Sequence, residues 1–236
     1  MKYFVISDIH SHYSAMIESL RKKEYNPNNS AHHLIVLGDL FDRGYQTVDV
    51  LDYLYNLYLE DKVTIVVGNH DTFLIDFLNG DHNRTYFNCI YNGFDKTLYQ
   101  LSGTDPTIDN LSEIQSVINK NYPHLLGFLN QFHDYLEIGD YIFVHGGIDG
   151  SVSNWREKLT THDFVWGREI NCKRIPNKIV VAGHHRVSQI RVETKNHSLL
   201  FQLKPEMFDI LYEDGKILID RFVEVTNELN VLVIEI

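Results

Sequence analysis

The chain has 236 residues, 44% of them hydrophobic and 22% charged, which is ordinary for a globular protein able to bury a full core. Its formal net charge of −11 argues against a nucleic-acid groove, because binding a phosphate backbone relies on Lys and Arg neutralising phosphates and releasing counterions. No run of about 18 apolar residues is present and Asp8 falls too early for a signal-peptide apolar segment, so the expected setting is the cytoplasm, away from membranes.

In chain order, "KYFVIS" (2–7), "HLIVLG" (33–38) and "KVTIVVG" (62–68) are short, rich in β-branched residues, and read as buried strands. Between them, Tyr13 to Glu24 and Gln46 to Glu60 carry apolar residues at helical spacing, as at Val50, Leu51, Leu54, Leu57 and Tyr58. This βαβαβ order predicts right-handed crossovers and a mostly parallel sheet. Asp71 to Leu78, "DTFLIDFL", reads as the next helix. From Arg84 to about Asp140 the strand signal fades; "TLYQL", "LSEIQSVINKNY" and "LLGFLNQF" read as helices, which gives a helical cap or insertion over about 84–140. Strand patterns return at "YIFVHGG" (141–147) and "KIVVAGHH" (178–185). Near the C-terminus "SLLFQL" (198–203), "FDILYEDGKILID" (208–220) and "ELNVLVIEI" (228–236) read as strands, with a hairpin turning at "EDGK". The expectation is one α/β domain over 1–236, two mixed β-sheets packed face to face and flanked by helices. Cys89 and Cys172 make neither a disulfide framework nor a zinc pattern.

The strand-like runs stop at polar residues of one kind: Asp8-x-His10, Asp39-x-x-Asp42-Arg43-Gly44, Asn69-His70-Asp71, His145 and His184. Singly, each reads as a turn residue or a helix cap. In an α/β sheet, however, ligands bind beyond the carboxyl ends of the strands, so five such places can converge on one point. Carboxylates together with neutral imidazoles suit Mn²⁺, Fe, Zn²⁺ or similar ions rather than an all-oxygen cage for Ca²⁺ or Mg²⁺. Two Asp, one Asn and three His exceed the needs of one tetrahedral site. They suit two metals about 3.5–4 Å apart that share a carboxylate, the arrangement that clamps an in-line phosphoryl displacement.

With "DIH", "GDLFDRG", "GNHD", "VHGG" and "GHH" in this order, the chain resembles the calcineurin-like metallophosphoesterases. "DRG" and "WGRE" (166–169) are similar to the phosphoprotein-phosphatase branch, whose small phage and bacterial members include serine/threonine protein phosphatases. Symmetrical dinucleoside tetraphosphatases share the same core. The resemblance spans Asp8 to His184 and implies two divalent or transition metal ions, Mn first, with Fe, Zn, Co or Ni as alternatives. On the matching positions it implies that Asp8, His10 and Asp39 hold the first metal, that Asp39 bridges to the second, and that Asn69, His145 and His184 complete it. His70 is implied as the general acid, oriented and kept protonated by Asp42, with Arg43 and Arg168 gripping phosphoryl oxygens and a bridging hydroxide as nucleophile. "NGFDKT" (92–97) is similar to an Asn-Gly-Gly element of small relatives, which makes Asn92 a substrate contact, although Phe94 replaces the second Gly. Asp71 reads as a structural carboxylate at a helix start, and His185 as facing solvent or backing the site.

The primary functional expectation is hydrolysis of phosphomonoesters of the serine/threonine protein-phosphatase type, with a phosphorylated protein as partner. The alternative is a symmetrical bis(5'-nucleosyl)-tetraphosphatase or other nucleotide phosphohydrolase. Val67 stands where protein phosphatases of the family and several phage relatives carry Arg before "GNH", which favours the nucleotide reading; "DRG" and "WGRE" pull the other way. A non-catalytic metal-binding module is expected to lose ligands, and this chain keeps them all.

Overall fold

The β-branched runs at the start of the chain form strands β1 (Lys2–Ile6), β2 (His32–Leu37) and β3 (Val63–Val66), linked by helices α1 (Tyr13–Lys22) and α2 (Thr47–Leu59). The computed structural model describes residues 1–192 and 204–236, and the expected strand at 198–203 lies outside them. Both crossovers are parallel, with Phe4 opposite Leu34 and Leu34 opposite Val63; β9 (Leu232–Glu235) closes the sheet antiparallel to β1, in the order β3-β2-β1-β9.

A second sheet contains β4 (Tyr135–Ile138), β5 (Tyr141–Val144), β6 (Ile179–Ala182), β7 (Leu211–Glu213) and β8 (Lys216–Leu218), in the order β4-β5-β6-β8-β7. The expected hairpin is β7–β8, paired antiparallel, with Gly215 supplying the left-handed backbone its turn requires.

Because side chains alternate across a strand, one apolar run feeds two cores. Val5, Ile35 and Leu37 meet Phe143, Val181 and Ile217 between the sheets. Their neighbours Phe4, Ile6, Leu34 and Val36 pack outward against α1 and α2, while Ile142, Val144 and Val180 pack outward against Trp155 and Phe164. The architecture is thus α/β, two mixed sheets face to face with helices on either side.

The polar-apolar middle of the chain folds as α3 (Asn69–Leu78), α4 (Thr85–Asn92), α5 (Phe94–Ser102), α6 (Leu111–Asn121) and α7 (Leu125–Leu129). Phe73, Phe77, Phe94, Leu98 and Ile114 extend the outer core of the first sheet. The helical stretch is shorter than expected: it stops at Leu129, and Tyr135–Ile138 is an edge strand whose residues are all only half buried, which is why its pattern was faint. Short helices α8 (Trp155–Lys158), α9 (Thr161–Trp166) and α10 (Val187–Val192) flank the second sheet, and α11 (Val223–Thr226) precedes β9. These have too few turns for a periodic signal.

Candidate metal centre

The turns that leave β1, β2 and β3 are clamped together through their backbones. Asp8 N–H donates to Gly38 O at 3.1 Å and His10 N–H to Asp39 O at 3.0 Å. Gly38 has φ +71°, and a Cβ there would run into the Gly68 backbone. Asp71 ties the assembly: its carboxylate accepts the N–H groups of Gly68 (2.8 Å), Asp39 (2.9 Å) and Leu40 (3.0 Å). It therefore joins two turns as well as starting α3. Asp8, His10, Asp39, Asp42, Arg43 and His184 all have positive φ, between 45° and 74°. Such backbone is costly for residues with a Cβ and persists where surrounding contacts over-determine it, typically at functional sites.

Two groups of donor atoms result, His10 with Asp39 and His70, and Asp39 with His145 and His184, the atoms of each lying within 4.8 Å of one another. Asp39 belongs to both. Its Oδ2 lies 3.6 Å from His10 Nε2 and its Oδ1 lies 3.4 Å from His145 Nε2. His10 Nδ1 donates to Phe41 O at 3.0 Å and His145 Nδ1 to Leu37 O at 2.7 Å, so each Nε2 is left with its lone pair, close to Asp39. Asn69 Oδ1 also lies 3.0 Å from His145 Nε2. Burial lowers the pKa of His10, His145 and His184, the last to about 3, which keeps them neutral. Burial and the neighbouring Asp220 and Asp39 carboxylates push Asp8 up, the signature of buried acids lacking a compensating cation. Lone pairs and carboxylate oxygens converging on one buried point repel one another unless a cation lies between them, so the donor set fits divalent metal.

Asp8 lies outside both groups, its carboxylate accepting the His184 N–H at 3.0 Å. His70, expected as a proton donor, stands in the first group. Its Nδ1 donates to Asp42 Oδ2 at 2.6 Å, and Asp42 Oδ1 accepts the Thr97 hydroxyl at 2.6 Å. Asp42 is fully buried, so α5, through Thr97, fixes the carboxylate–imidazole pair. Arg43, expected on phosphoryl oxygens, here donates to His10 Nε2 at 2.6 Å, His70 Nε2 at 2.8 Å and Glu224 Oε1 at 2.8 Å. Two imidazole lone pairs aimed at one place draw in the nearest cation. Glu224 also accepts from Arg186 Nη2 at 3.1 Å, and the Arg186 guanidinium lies 3.6 Å over the Phe222 ring.

A pocket of about 190 Å³ opens on this floor, lined by Asp8, Asp39, Asn69, His70 and His184 and rimmed by Asn92, Arg168, Arg186 and Trp166. Asn92 reaches the rim with its amide donating to Asn88 Oδ1 at 2.9 Å. His185 lines the pocket half-buried, its pKa pushed down to about 4 by burial and then by Arg168. Arg186, Glu224 and Trp166 received no role from the sequence. Arg186 follows "GHH" and Trp166 opens "WGRE", so adjacency could have flagged both; Glu224 comes from the C-terminal segment without a motif.

An asymmetrical bis(5'-nucleosyl)-tetraphosphatase from Bacillus velezensis is 29% identical over 154 residues, covering 63% of this chain and 57% of that protein. A symmetrical bis(5'-nucleosyl)-tetraphosphatase from Buchnera aphidicola is 41% identical over 75 residues, covering 32% of this chain and 26% of that protein. The chain thus spans less than two thirds of the length of either relative. Among solved structures, a cold-active protein-tyrosine phosphatase of a psychrophilic Shewanella superposes with TM-score 0.57 at 19% identity, covering 99% of this chain and 75% of that one, a likeness of fold. The calcineurin-like phosphoesterase family model matches residues 1–219, and the chain belongs to that family.

Proposed function

We propose that this protein is a two-metal phosphoester hydrolase whose substrates are dinucleoside polyphosphates. The observation that carries the reading is the membership of Asp39 in both donor groups, because a shared carboxylate is what a metal pair needs and a single-metal site does not. Asp8, His10 and Asp39 would hold one ion, and Asp39, Asn69, His145 and His184 the other. Bound there, the ions supply Lewis-acid neutralisation of phosphoryl charge and a water acidified to near-neutral pKa.

The chain's own groups do the rest. Arg43, Arg168 and Arg186 grip phosphoryl oxygens, and three guanidiniums suit a polyphosphate bridge better than one monoester. For Arg43 this means leaving His10 and His70, while Glu224 keeps it and Arg186 at the mouth. His70 gives a proton from Nε2 to the leaving oxygen, and Asp42 holds the ring through Nδ1–H. The nucleotide substrate is favoured over the phosphoprotein expected first from sequence by the similarity to two bis(5'-nucleosyl)-tetraphosphatases and by Val67, which adds no cation before "GNH". The serine/threonine phosphatase reading keeps the support of "DRG" and "WGRE" as the second possibility.

Protein loaded with Mn²⁺ is to be assayed in parallel on diadenosine tetraphosphate, a phosphoserine peptide and p-nitrophenyl phosphate. The expected result is a preference for the dinucleotide of about 100-fold in kcat/KM, a size of discrimination that pocket contacts supply. A preference for the peptide overturns the substrate class. No turnover of any of the three with metal bound overturns the enzyme.

A further inference from the structure

Beside the metal centre lies a second cleft of about 240 Å³, between α3, α4 and α9. The two openings share Trp166 as a common wall. We propose that this cleft seats the nucleobase of the departing nucleotide, stacked on the indole of Trp166; the inference rests on the dinucleotide reading above and extends it to a subsite.

The position follows from the walls the cleft shares with the metal centre. Phe73, one wall of the cleft, packs on His70 with ring centroids 5.0 Å apart, and Trp166 lies 6.4 Å from Phe73 and 5.8 Å from His184. The cleft is therefore separated from the proton donor by one ring, and from the metal pocket by the indole that both openings share. Trp166 is 40% exposed although it lies within aromatic contact range of three rings, including His162 at 6.4 Å. A large aromatic left open at the mouth of a polar site is a stacking platform by its chemistry, since every base offers a π face.

The lining decides what stacks. Thr85 and Asn88 line the cleft with a hydroxyl and an amide, while Asp76 and Asp81 bring carboxylates. Those carboxylates oppose a further phosphate and accept hydrogen bonds from an exocyclic amino group such as that of adenine. With Arg84 against Asp76 and Asp81 the cleft is slightly acidic, unlike the guanidinium-rimmed pocket next door. The molecule thus separates a charged place for phosphates from an aromatic place for an uncharged ring.

Two readouts test this. The chain has two tryptophans, and Trp155 is buried, so Trp166 is the accessible fluorophore. Adenosine 5'-monophosphate is expected to quench its fluorescence where ribose 5-phosphate does not. Trp166→Ala is expected to lower kcat/KM for diadenosine tetraphosphate at least about tenfold more than for p-nitrophenyl phosphate, chiefly through KM, with Trp166→Phe restoring most of the loss. Thr161→Trp, on the exposed rim, fills the cleft and is expected to give the same selective loss without touching the core. Equal losses on both substrates, absence of base-dependent quenching, or a selective loss confined to a phosphopeptide would overturn the subsite. If the dinucleotide is not turned over at all, the substrate class falls, and base-dependent quenching still decides the cleft by itself.

Discussion

Asp8, His10 and Asp39 hang from turns whose backbones are bonded to one another, and the His184 N–H is held by the Asp8 carboxylate, whereas Asn92, Trp166 and Arg168 sit at the ends of short helices that solvent reaches. The floor is over-determined: left-handed backbone, a carboxylate gathering three N–H groups, and imidazoles whose tautomers are fixed by main-chain carbonyls. The rim consists of single side chains on separate elements. A floor built this way sets the reaction, and a rim built that way can be retuned for a substrate without disturbing the chemistry. Substitutions in the two regions should therefore separate cleanly.

The largest effect is expected at the centre of the floor. Asp39→Asn weakens both ion sites at once and removes turnover below detection, because that carboxylate is the one anionic member of each donor group; metal content and kcat measured together check it. His70→Asn comes next, lowering kcat by about 10²–10⁴, the range of a lost general acid, while metal content and fold persist. Loss of metal from that variant would instead make His70 a ligand, a role its place beside His10 and Asp39 also permits.

On the rim, Arg186→Ala is expected to lower kcat/KM for the dinucleotide by roughly 10–100-fold, the scale of one charge-assisted contact, with a smaller loss on p-nitrophenyl phosphate. An equal loss on both would move Arg186 to the floor's side of the comparison.

The smallest effect belongs to the strut between the regions. Glu169, next to Arg168, accepts the Ile148 N–H at 2.8 Å and donates its own N–H to Gly146 O at 3.0 Å, beside the His145 turn. Burial pushes its carboxyl up to about 7, with Lys216 Nζ 3.8 Å away. The folded value lies above the unfolded one, so the folded chain holds this proton more tightly. The contribution is full below about pH 4.5 and is lost as pH rises to about 7. Glu169→Gln keeps an acceptor for Ile148 and removes this loss. It should raise Tm at pH 8 by several degrees, roughly 1–3 kcal/mol, and have little effect at pH 4.5.

The same division governs what could be read from sequence. Floor residues announce themselves as a set, because successive β-branched runs all end in carboxylates, amides or imidazoles, although any one of them alone passes for a turn residue or a helix cap. The paired sheets were legible for the same reason, since runs such as Phe4-Val5-Ile6 are apolar on both faces and both faces need a cover. Glu224 was not legible: its partners Arg43 and Arg186 are distant in sequence, and only the closing of β9 against β1 brings α11 to the mouth. Nor was β4, whose half-exposed Tyr135–Ile138 lacks the apolar density of a buried strand. The position of Arg43 against two imidazoles was beyond any pattern, because it depends on lone-pair directions set by Phe41 O and by Asp42.

The most direct test counts bound Mn²⁺ per chain, by metal analysis after equilibrium dialysis, in the unaltered protein and in Asp39→Asn. Two ions per chain that fall together to near zero in the variant are the predicted result. One ion in the unaltered protein, or one retained at full affinity in Asp39→Asn, would contradict a centre built on a shared carboxylate.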